Sequence, residues 1–89
     1  MDLDPHAVDE RTRARRLLWR CRRGMKELDV LLERFARERY DGASAEEKRA
    51  FARLLDLPDP EIAAYVLGHA TPAEPQLAHL ARLITSHQP

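Results

Sequence analysis

Apolar residues recur along this chain with helical period, and breakers divide them into five runs. Ala14, Leu17, Leu18 and Cys21 stand at i, i+3, i+4 and i+7, one stripe of an amphipathic helix that starts with Asp9 as N-cap. Met25 continues that stripe past a corner. Leu28, Leu31, Leu32, Phe35 and Ala36 form the stripe of a second helix, Lys26 to Tyr40, on which Glu33 and Arg37 have the spacing of an exposed ion pair. Asp41-Gly42 marks a turn. Ser44-Ala-Glu-Glu47 is a capping box that opens a third helix, which buries Phe51, Leu54 and Leu55 and ends before Pro58. Asp59-Pro60 reads as an N-cap followed by proline at the first helical position. The fourth helix it starts turns Ile62, Tyr65 and Val66 inward and ends at Gly68. Thr71-Pro72 to Pro75 is a rigid connection to a fifth helix, Pro75 to Ser86, with Leu77, Leu80, Ala81 and Ile84 inward. No segment alternates with the period of a strand. The expectation is an all-α protein, a compact bundle of five short helices: 1–8 a flexible N-terminal arm, 9–86 a single helical-bundle domain, 87–89 a frayed tail.

The joint between the first two helices concentrates the unusual residues. Gly24 stands where a tight corner asks for positive φ, which glycine adopts at no steric cost. Before it the chain is cationic (Arg20, Arg22, Arg23), and after it acidic (Glu27, Asp29), both as the helix macrodipoles favour. Trp19 is off the apolar stripe, and steps of three and four residues from it reach Arg15, Arg16, Arg22 and Arg23. An exposed tryptophan among arginines has the composition of an interaction hot spot. Glu27 falls one turn from Arg23, where it either pairs with it or faces a partner.

Composition narrows the function. At 89 residues the chain is one small domain, with no room for separate catalytic and binding units. Its 15 basic and 15 acidic residues cancel, which argues against a protein whose main task is coating nucleic acid. The charge is nonetheless segregated: residues 1–10 carry four acids and no Lys or Arg, and residues 11–23 carry seven arginines and no acid. Cys21 is the single cysteine, so no internal disulfide forms and a reducing compartment fits. No apolar run approaches the roughly 18 residues of a membrane span. The acidic start Met-Asp-Leu-Asp-Pro resembles neither a signal nor a transit peptide, so the expected location is the cytoplasm.

Nothing in the pattern assembles a reaction centre. His6, His69, His79 and His87 show no ligand spacing, and Cys21 on the buried stripe reads as a core thiol. Glu27 and Asp29 point about 200° apart around their helix, so they are no acid/base pair. No glycine-rich phosphate loop is present. The expectation is no enzyme, no catalytic residue, no metal site and no stably bound cofactor.

Cys21-Arg-Arg-Gly-Met-Lys-Glu-Leu-Asp29 resembles the signature of the small FAD assembly factors of succinate dehydrogenase, whose hallmark is Arg-Gly-x-x-Glu, here Arg23, Gly24 and Glu27. Glu38-Arg-Tyr-Asp41, Ser44 to Lys48, Phe51, Arg53-Leu-Leu55, Asp59-Pro60, His69, Pro72-Ala73 and Arg82-Leu-Ile84 fall at that family's spacing too, over about residues 11 to 86. The resemblance implies a bacterial helper that binds the flavoprotein subunit of succinate dehydrogenase, and of fumarate reductase, and promotes covalent FAD attachment to a histidine of that subunit. The attachment is self-catalysed by the client in that family. It also implies a partner-binding patch of Arg23, Gly24 and Glu27, completed by Trp19, Arg22, Asp29 and His69, with Arg23 offering its planar fork to the client. Departures lie outside the corner: Ala70 stands where His-Gly is common, Tyr65 replaces a frequent tryptophan, and Leu57-Pro58 precedes the Asp-Pro pair.

Two other readings compete. Arginines with one aromatic also suit phosphate and stacking contacts, so the Arg11 to Arg23 stripe admits a small nucleic-acid-binding helical domain, against which stand the zero net charge and a pI near 6.9. A generic interaction bundle with a different client is the third.

Overall fold

A computed structural model describes the backbone of residues 5–86 and the side chains of residues 12–85. Among them five helices follow in order, α1 (Pro5–Arg20), α2 (Lys26–Glu38), α3 (Ala45–Leu55), α4 (Asp59–Val66) and α5 (Pro75–Ser86), with no strand. The bundle class and the bounds of α5 are as expected. Helix α1 begins at Pro5, four residues before the expected Asp9, so residues 5–8 of the arm expected over 1–8 are helical; proline is well placed there because a first-turn N–H needs no partner. Residues 1–4 of that arm and the tail 87–89 lie outside the described residues.

One core serves all five helices. Leu28, Leu31, Leu32 and Phe35 of α2 meet Ala50, Phe51, Leu54 and Leu55 of α3, Ile62, Ala63 and Val66 of α4, and Leu77, Leu80 and Ile84 of α5. Each large side chain of this set contributes about 1.5–3 kcal/mol by leaving water. Phe51 lies at its centre, its ring centroid 4.8 Å from that of Phe35 and 6.0 Å from that of Tyr40. Thr85 Oγ1 donates within 2.7 Å of the Val66 carbonyl, tying α5 to the end of α4.

Helix α1 departs from its expected pattern. Of its stripe only Cys21 at the very end is fully buried; Leu17 and Leu18 are half-buried, and Ala14 is exposed, as are all residues from 12 to 16. Met25 is exposed as well and does not extend the stripe. Among the described side chains the first helix therefore packs by its last turn and leaves residues 12–16 in solvent.

The α2–α3 junction is closed locally. Tyr40 N–H donates to the Phe35 carbonyl at 2.9 Å, ending α2 two residues short of the expected Tyr40. The capping box then forms as read: Glu47 N–H donates to Ser44 Oγ at 3.1 Å, and Ser44 N–H to Glu47 Oε1 at 2.9 Å. Beside it charged residues of α3 reach α5: His79 Nε2 lies 3.0 Å from Glu47 Oε2, and Arg53 engages Glu74 and Gln76.

Candidate partner-binding site

The α1–α2 corner is closed by hydrogen bonds from both sides of it. Cys21 N–H donates to the Leu17 and Leu18 carbonyls at 3.2 and 3.1 Å and Arg22 N–H to Trp19 at 3.1 Å, a tightened last turn. Gly24 then takes φ +80, the left-handed conformation expected of it, and is exposed, with no atom within 4 Å of an added Cβ. Met25 is the N-cap of α2 and has no side-chain oxygen to offer its orphan N–H groups. Asp29 reaches back from inside the helix instead, Oδ1 accepting Arg23 N–H at 2.9 Å and Oδ2 accepting Gly24 N–H at 3.1 Å. Its negative charge sits in the first turn, where the macrodipole favours it.

Arg23 turns inward, contrary to the expectation that it offers its fork to a client. Its side chain is only 19% exposed. Nη1 donates to Asp59 Oδ1 at 3.1 Å, and Nη2 donates to the Leu55 carbonyl. Leu55 is the last residue of α3, and the carbonyls of a helix's last turn have no partners within the helix. Arg20 does the same beside it, ion-paired to Asp56 with Nη2 3.4 Å from the Ala52 carbonyl. Two guanidinium groups thus sit on the negative end of the α3 dipole. Asp59, expected as the N-cap of α4, is its first helical residue; Pro58 takes the cap position, and the Asp59 carboxylate serves Arg23.

Trp19 faces out, 69% exposed as expected. The Arg22 guanidinium carbon lies 5.3 Å from the centroid of its ring, and Arg22 Nε donates to Glu33 Oε1 at 3.1 Å. Glu33 thus meets Arg22 across the corner, in place of the expected i,i+4 pair with Arg37. Among the described residues the exposed large apolar side chains are Trp19, Met25 and Val30, all at this corner or one turn into α2. Glu27 is exposed between them in sequence. The seven expected patch residues therefore divide. Trp19 and Arg22 stack, and Arg23, Gly24 and Asp29 are bonded into the corner. Glu27 points to solvent, and His69 is exposed just past the end of α4 opposite Asp59.

A sequence profile of the family described as "Flavinator of succinate dehydrogenase" (Sdh5) matches residues 15–88. The chain belongs to this family. It is similar to the FAD assembly factor SdhE of Coxiella burnetii, 42% identical over 77 residues, 86% of this chain and 94% of that protein. It is also similar to those of Idiomarina loihiensis, 46% identical over 72 residues (81% and 80% of the two chains), and Yersinia pestis, 41% over 71 residues (80% and 81%). The nucleic-acid reading of the arginine stripe falls away on this flavinator match. Three of its arginines, Arg20, Arg22 and Arg23, are moreover paired with Asp56, Glu33 and Asp59 of their own bundle.

The remaining chemistry of this flavinator-family chain is quiet. Burial pushes the Cys21 thiol up to about 12, with the Glu33 carboxylate adding to it and Arg23 and Arg20 opposing, so the sulfur is a protonated core atom at neutral pH. Among the described residues no group of three or more His, Cys, Asp or Glu is placed to hold a metal ion, and no helix is long and apolar enough to cross a membrane. A shallow cavity of about 400 Å³ opens between the starts of α3 and α5, lined by Glu46, Glu47, Gln76 and His79, at the end of α3 away from the corner.

Sequence reasoning missed Asp59, Asp56 and Glu33 as partners of the corner. The first two lie 36 residues from their arginines, so no local spacing signals the contact.

Proposed function

We propose that this chain is an assembly factor that binds the flavoprotein subunit of succinate dehydrogenase and promotes covalent attachment of FAD to it, performing no reaction and keeping no cofactor itself. Membership of the flavinator family over residues 15–88, with the Arg23-Gly24-x-x-Glu27 corner intact, carries the reading. The flavoprotein of fumarate reductase is the second client that the family resemblance implies, and the cytoplasm is the place of action.

The contact surface we draw is Trp19, Arg22 and Glu27, shaped by Gly24 and held by Arg23 and Asp29; His69, at the far end of α4, lies outside it. A tryptophan stacked by an arginine presents a large rigid area at small entropic loss, the makeup of an interface anchor. The helper acts by differential binding. If it grips one domain arrangement of the client more tightly than another, it moves the client's population toward the first by that difference in affinity and no more. The attachment chemistry stays in the client.

The test is a flavin-fluorescence gel of denatured flavoprotein subunit, incubated with FAD in the presence and absence of this chain. Covalent fluorescence should rise with the chain present, and Glu27→Ala should remove the rise. Equal fluorescence with and without the wild-type chain overturns the proposal.

A further inference from the structure

We infer that Arg23 is a positioning residue: by gripping Asp59 and the Leu55 carbonyl it fixes the direction in which the corner presents Trp19 and Glu27 to the client. Asp59, outside the Arg-Gly-x-x-Glu motif, is its working partner. This inference rests on the assembly-factor reading for its client readout.

Three observations carry it. The fork of Arg23 is occupied at both ends inside the bundle, by Asp59 at 3.1 Å and by Leu55, so it has little left to offer a second protein. Its backbone N–H and that of Gly24 are both held by the Asp29 carboxylate, so side chain and main chain of one residue tie α2 to the α3–α4 junction across the corner. Finally, the arrangement is poor as a stabiliser. Asp59 is 40% exposed, and Arg23 Nε is buried with no hydrogen-bond partner, a combination in which desolvation cancels much of the Coulomb gain. An aliphatic side chain would fill the site at less cost. What the guanidinium adds is direction, because two bonds from a rigid planar group hold the corner in one orientation against the end of α3.

Trp19 is the sole tryptophan, so its emission reports the corner directly. The experiment compares the full-length wild type with Arg23→Gln, Asp59→Ala, Asp59→Asn and the double variant Arg23→Gln/Asp59→Ala. It reads thermal melts, the steady-state anisotropy of Trp19 in the free chain, and binding to purified flavoprotein subunit of succinate dehydrogenase. Melting temperatures should fall by no more than about 4–8 °C, since the pair contributes little stability. Trp19 anisotropy should drop alike in both single alanine or glutamine variants. Client binding should weaken about tenfold in each, and the double variant should bind no worse than the weaker single, the signature of two groups acting as one unit. Asp59→Asn keeps an acceptor oxygen for the guanidinium and should bind better than Asp59→Ala.

A different result separates the alternatives. If Arg23 touched the client itself, Asp59→Ala would free it, and client binding would hold or tighten while Arg23→Gln weakened it; that outcome overturns the inference. Losses that multiply in the double variant overturn it too. If the wild type fails to bind the flavoprotein at all, the assembly-factor reading falls. The clamp is then judged on the free chain alone, where Trp19 anisotropy unchanged in both single variants overturns it.

Discussion

The two junctions that flank α2 solve the same problem in opposite ways. At the α2–α3 turn the donors and acceptors come from within three residues of each other, Ser44 and Glu47 exchanging two bonds in a closed loop. At the α1–α2 corner Met25 cannot cap, and the bonds come from Asp29 in the first turn of α2 and from Leu55, Asp56 and Asp59 more than thirty residues ahead. A locally closed junction is autonomous and can vary without disturbing its neighbours. A junction closed at long range has its geometry set by the whole bundle, which is what a surface that must meet another protein at one angle requires.

Substitutions on either side of α2 test that contrast. Phe51→Ala is the common reference, since its ring contacts lie in the core that both junctions rest on; it should destabilise the fold by about 3–5 kcal/mol in urea or thermal denaturation. Asp29→Ala should cost about 2 kcal/mol by the same measurement, because it removes two bonds to a carboxylate and strands the Arg23 and Gly24 N–H groups. Ser44→Ala should cost about 1 kcal/mol, an ordinary lost cap. The comparison fails if Asp29→Ala proves no more costly than Ser44→Ala, or if Ser44→Ala and not Asp29→Ala weakens flavinylation of a client. Trp19→Ala, at the exposed end of the series, should leave stability within about 0.5 kcal/mol of wild type while removing the rise in covalent flavin.

Acid should discriminate the junctions as well. The Glu47 carboxyl is held below its ordinary value of 4.5, first by the Ser44 N–H and then by His79. A carboxylate lowered in the folded state adds stability that is present above its unfolded value and lost as pH falls through the folded one. A denaturation series taken downward from pH 5 should therefore show the wild type losing stability faster than Glu47→Gln.

Five helices, the stripes of α2 to α5 and the capping box were legible because each is a local pattern: a period of 3.6, a breaker, or a Ser and Glu three apart. Core positions of α2 and α5 followed directly, Leu28 to Phe35 and Leu77 to Ile84. Gly24 was readable for the same reason, as positive φ at a corner is a demand on one residue. Arg23 was not. Its end-of-helix position and charge are equally consistent with a solvent-facing group and with one that caps another helix, and only the folded chain brings Leu55 and Asp59 within reach. Ala14 and Met25 misled in the other direction, since apolar spacing states where a stripe lies and not how much of it finds something to cover it.

The lone sulfur of Cys21 lies directly under this corner, fully enclosed, within one residue of the turn that carries Arg22 and Arg23. A thiol reagent can reach it only when the first helix lifts from its seat. The rate at which the protein takes up such a label under native conditions is thus a clock for that lifting, and a bound client should slow it.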